Sequence, residues 1–198
     1  MIVRQLSRPF AFNSIQSGEL RYVRFHVPLS ITTLLLVIYS LLPKPPDIWG
    51  DKHYLDYMMQ IVGILPGFYI AALAAGATFA NASLDEPMPG LAPPTLVMTR
   101  MGQRFTEKLS TRLFICYLFS YLSAASLVLA FGILFAIEIN PSVEHIISTH
   151  SEIYYVVMAA KAVQYVFVLV LTFYAAKLTT VTLHGLYFLA ERMHQHND

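Results

Sequence analysis

The residues of this chain that could do chemistry are its histidines, its carboxylates and one cysteine, and their spacing matches no reaction. The seven histidines are His26, His53, His145, His150, His184, His194 and His196. His194 and His196 form a pair near the C-terminus, a spacing that is weak metal evidence by itself. His53, His145 and His150 share two loops with Asp47, Asp51, Asp56, Glu138, Glu144 and Glu152, where a metal or pH-sensing cluster could assemble. The plainer reading is solvated loop residues. No H-E-x-x-H, G-x-S-x-G or G-x-x-x-x-G-K-[ST] occurs. Cys116 is alone, which excludes an intramolecular disulfide and a cysteine zinc site. The expectation is a non-enzymatic protein with no catalytic, cofactor or metal site.

The elements that carry these residues are apolar. Hydrophobic residues make up 56% of 198 and charged residues 13%, about half the usual charged share of roughly 25%. Mean hydropathy is +0.56, and the net charge of +1 provides no field to recruit nucleic acid directly. Four apolar runs stand out, at about 25–42, 57–80, 113–137 and 154–176. Each approaches the roughly 20 residues that cross about 30 Å of hydrocarbon. None carries Asp or Glu in its middle, as proton-coupled carriers and intramembrane aspartyl proteases require. The fold class expected is all-α: a single four-span membrane domain over 1–198, with a connector at 81–112.

Lys and Arg set the orientation. The N-terminal tail holds Arg4, Arg8, Arg21 and Arg24, and the first loop Lys44 and Lys52. The connector holds Arg100, Arg104, Lys108 and Arg112, the third loop holds none, and the C-terminal end holds Lys177 and Arg192. The positive-inside rule then places both termini and the connector in the cytoplasm. The tail of residues 1–24 reads as an orientation signal plus a short helix lying on the surface, the alternative being an interfacial segment that senses or grips the inner leaflet.

Within the connector, four prolines and Gly90 forbid regular structure in the first half. In the second half Met101, Phe105, Leu109 and Leu113 recur at spacing four, beside Arg104, Lys108 and Arg112, which predicts a helix with one apolar and one basic stripe. Asp85 and Glu86 stand ready to pair with the basic stripe of a neighbour. The last helix is expected to overrun the membrane: Lys161 and Lys177 lie 16 residues apart, about 24 Å along a helix, so each can snorkel to its own headgroup layer. Beyond Lys177 an apolar face of Leu178, Val181, Leu186, Leu189 and Met193 would enter the cytoplasm and pack on the connector. The docking residues expected for a partner are Arg100, Arg104, Lys108, Arg112, Leu186, Leu189 and Met193. In the second span Gly63, Gly67, Ala71 and Ala75, with Gly76 beside them, are small residues that let helices approach closely, and point to a homo-oligomer.

The two short-loop hairpins, the basic connector TRMGQRFTEKLSTR and the last helix ending HGLYFLAERMH resemble the membrane subunit of the Kiwa anti-phage defence system. The resemblance implies a homo-oligomer, a tetramer, in the bacterial inner membrane. It also implies a cytosolic DNA-binding effector as partner and a role in sensing phage attack at the envelope. No motif carries a functional residue across. The function expected is a sensor and scaffold that docks a cytosolic effector. The alternative is an oligomeric pore that depolarises the membrane, for which Gln60, Thr78 and Asn81 are the only polar lining candidates in the second span.

Overall fold

The computed structural model describes residues 7–16, 18–43, 48–49, 54–78, 82–87, 94–100, 103–150, 154–187 and 189. Four long helices dominate: α1 (Val27–Leu41), α2 (Tyr54–Thr78), α3 (Thr111–Thr149) and α4 (Tyr154–Tyr187). A π-helical turn, Tyr22–His26, extends α1 at its start. All four are long and apolar enough to cross a membrane, α1 together with that turn. Their apolar residues are not confined to a buried stripe. Leu34, Leu35, Leu36, Val37 and Ile38 of α1 are all exposed, as are Val163, Tyr165 and Val166 of α4. A helix apolar all round belongs in lipid. Serine and threonine hydroxyls along the helices return to carbonyls three or four residues back, as Thr32 does to Pro28 and Ser126 to Ser123, so few polar groups face lipid unsatisfied.

α3 is the organising element. It packs along α2 on one side and α4 on another, and α1 leans on α4. Phe119, Leu122 and Ile133 of α3, Tyr69 of α2 and Val181 of α4 are almost wholly enclosed. Ser110 caps α3, its hydroxyl accepting from the Leu113 amide at 3.3 Å. The helix continues past the expected end at 137 and through Pro141 to Thr149. At 39 residues it is about 58 Å long, and α4 at 34 residues about 51 Å. Both exceed the hydrocarbon layer, so the α3–α4 pair extends beyond it.

The connector departs from the expected helix. Residues Thr95–Arg100 (β2) and Gln103–Lys108 (β3) form an antiparallel hairpin, Leu96 opposite Glu107 and Arg100 opposite Gln103. The β-branched Thr95, Val97, Thr99 and Thr106 favour extended backbone, and the register closes on two residues that include Gly102, a length suited to a tight hairpin. Spacing four among Met101, Phe105 and Leu109 is outweighed by these signals. The N-terminal tail also departs from a surface helix. Arg8–Ser14 is a 3-10 helix packed on α3, and Ile15–Gln16 (β1) adds to β2 to give the sheet order β1-β2-β3. Phe12, Ile15 and Leu20 are buried in the core.

Candidate functional site

Polar contacts mark two levels along the bundle. At the sheet end, the Arg24 guanidinium donates to the carbonyls of Phe12 at 3.0 Å, Asn13 at 2.9 Å and Ile15 at 2.7 Å. It lies 4.9 Å from the Phe12 ring centroid, and that ring stacks on Tyr121 at 5.2 Å. The Lys177 ammonium lies 5.6 Å from the Tyr121 ring and 5.9 Å from that of Tyr174. Arg24, Tyr121 and Lys177, from three different helical segments, therefore share one level. Arg8 and Asn13, on the 3-10 helix that packs on α3, are exposed.

At the other level Gln164 donates to Asn140 at 2.9 Å, and Asn140 donates to Glu144 at 2.9 Å. From Tyr121 to Asn140 is 19 residues of α3, about 28 Å. Lys161 lies one turn of α4 beyond Gln164. Between the levels a groove of about 390 Å³ opens among α1, α4 and the start of α2, lined by Leu35, Tyr39, Val168 and Leu169. The hydrogen bond joining Tyr54 to Thr172 at 2.9 Å lies on its wall.

The docking residues are divided by the fold. Arg112 is engaged within the chain: its Nε and a terminal nitrogen grip both oxygens of Asp85 at 2.7 and 3.2 Å, a bidentate pair that ties the start of α3 to the turn Ala82–Asp85. Asp85 thus pairs internally rather than with a neighbour, and Arg112 holds its carboxyl below the ordinary carboxylate range. Arg100 and Arg104 lie on β2 and β3, one register step apart, Thr99 facing Arg104 and Arg100 facing Gln103; their side chains lie outside what is described. Lys108 ends β3 and is exposed. Met193 lies outside the described residues. Leu186 is exposed and Leu189 packs partly buried against the core.

The apolar end of α4 packs differently from the expectation. Leu178 and Val181 are buried, Thr180 donates to the Val23 carbonyl at 3.4 Å, and a Cβ on Gly185 would come 2.7 Å from Leu118. Among the described residues this face covers α3 and the turn before α1. The start of α3 offers it the apolar side chain of Leu118.

The small residues of α2 fall on two faces. Gly76 is buried, and a Cβ there would lie 2.9 Å from Ile115. Gly63, Gly67, Ala71 and Ala75 face outward, and among the described residues nothing lies within 4 Å of a Cβ built at Gly67. Gly76 serves the bundle; the other four form a stripe that the subunit leaves open.

Among the described residues no three His, Cys, Asp or Glu side chains come together. Comparison with family models, curated proteins and solved structures found no match. The cluster of Phe12, Arg24, Tyr121 and Lys177 is not among the residues expected from the sequence. Its only signal was a cation beside aromatic residues at the ends of two separate spans.

Proposed function

We propose that this chain is a non-enzymatic scaffold and sensor of the bacterial inner membrane, which self-associates and docks a cytosolic effector at its sheet end. The observation that supports this reading most is the hairpin. β3 is an edge strand with no described strand on its outer side, it carries Arg104 and Lys108, and Leu183, Leu186 and Tyr187 are exposed at the same end of the bundle. Unpaired strand edges are templates for added strands, and lysine on the edge discourages indiscriminate pairing. The positive-inside rule assigns this end to the cytoplasm. The outward stripe of Gly63, Gly67, Ala71 and Ala75 supplies a surface for association in lipid. The resemblance to the Kiwa membrane subunit supplies the setting of anti-phage defence, a tetramer and a DNA-binding partner.

The test is co-purification of the soluble protein encoded beside this chain. Replacing Arg104 and Lys108 together by Glu is expected to abolish it, and unchanged co-purification would overturn the docking assignment. Overexpression with a potential-sensitive dye separates the scaffold from a depolarising pore. A scaffold leaves the membrane polarised.

A further inference from the structure

We infer that the groove between α1 and α4 is a binding site for one acyl chain of a membrane phospholipid. It follows α1 from Thr32 to Leu42, about 15 Å of helix, and α4 from Tyr165 to Thr172. Among the described residues its lining is Leu, Ile, Val, Tyr and Thr, with no charged side chain. The hydroxyls of Thr32, Thr172 and Tyr54 on its wall are spent inside the protein. Thr32 donates to the Pro28 carbonyl and Thr172 to the Val168 carbonyl, each at 2.8 Å. Thr172 therefore accepts from Tyr54, at 2.9 Å. A polar ligand would find little to pair with, and burying its polar groups unpaired is costly. An apolar chain has no such cost.

Size selects among apolar occupants. The groove holds about 390 Å³. A helix of a second copy, at least 10 Å across, would need about 1,200 Å³ over the same length. One hydrocarbon chain is about 4–5 Å across by carbon contact distances, and needs about 200–300 Å³. A single chain fits with room for its bends, and a helix does not.

The flanking surface says where such a chain comes from. Leu34, Leu35, Leu36, Val37 and Ile38 are all exposed, so α1 is apolar all round beside the groove, as a helix among lipid tails is. Among the helices α1 packs mainly on α4. An acyl chain laid between the two adds van der Waals contact along the side of α1 that α4 leaves uncovered.

The test uses the purified full chain in detergent. The probes are phosphatidylcholine and phosphatidylglycerol with straight oleoyl chains, and phosphatidylcholine with methyl-branched phytanoyl chains. Native mass spectrometry is expected to show one oleoyl lipid retained per subunit, equally for the two headgroups, and loss of retention for the branched chains. Val166→Trp with Leu169→Trp fills the groove and should abolish retention; both side chains are exposed, so the buried core is left intact. Val163→Trp with Val170→Trp, exposed on α4 but off the groove, should keep it. Retention that survives filling, falls equally in the control pair or depends on the headgroup would overturn the site. No lipid on the wild type, with a smaller detergent-solubilised mass after filling, would give the groove to a second copy instead. Should the filled variant fail to fold, phosphatidylcholine with a photoactivatable group in its acyl chain decides on the wild type. Labels concentrated on residues 32–42 and 165–172 support the site, and labels spread evenly over the exposed helix faces refute it.

Discussion

Adding one methyl group to α2 should have opposite consequences at Gly76 and Gly67. At Gly76 the new Cβ would meet Ile115 Cγ2 at 2.9 Å, while Ile115 is 2% exposed on α3. Carbon atoms prefer about 3.5–4.0 Å, so the methyl intrudes by well over half an ångström into a side chain with nowhere to retreat. Overpacking of this kind costs about 1–3 kcal/mol. At Gly67 the methyl enters open space. Both substitutions gain the same helix propensity of Ala over Gly, about 1 kcal/mol, so that contribution cancels between them. Gly76→Ala should then be less stable than Gly67→Ala by about 1–3 kcal/mol, or roughly 2–12 °C in melting temperature. Cys116 adjoins Ile115 and is the only cysteine, so its reaction with a thiol dye during heating reports the affected contact directly. Coincident melting curves for the two variants would refute the close approach of α2 and α3. The larger Gly67→Leu should keep the wild-type melt but reduce the detergent-solubilised mass. Loss of stability equal to that of Gly76→Leu would refute the outward assignment of the stripe.

Phe12→Ala removes a wholly buried ring from between Phe114 and Tyr121, at a cost of about 3–5 kcal/mol. Amide exchange at Ile15 and Leu96 should accelerate as the N-terminal segment opens locally, and unchanged protection would show that this segment is held by other contacts. Asp85, whose carboxyl is held low because Arg112 donates to it, contributes its tether in full above the ordinary carboxylate pKa, and the tether is lost as pH falls through its lowered value. Exchange in the turn Ala82–Asp85 should therefore rise only on strong acidification, and Asp85→Asn should remove that pH dependence. Reporter fusions at Asn140 should read periplasmic and fusions after Asp198 cytoplasmic; the reverse would discard the assignment of the sheet end to the cytoplasm.

Four apolar helices were legible in the sequence because a membrane span is a local property. It needs only an unbroken apolar run of sufficient length, and 25–42, 57–80, 113–137 and 154–176 each meet it. In the connector, spacing four among a few apolar residues suggests a helix, while Thr95, Val97 and Thr99 ahead of Gly102 favour a strand and a turn. What only the tertiary structure decided was which neighbour each face meets. Gly76 and Gly67 are equivalent as small residues on one helix, and the position of Ile115 alone makes one internal and leaves the other open. Arg24 and Lys177 are 153 residues apart. Each lies over a ring of one aromatic stack because the N-terminal segment folds back on α3 and lays Phe12 against Tyr121, a long-range contact that no local pattern of residues encodes.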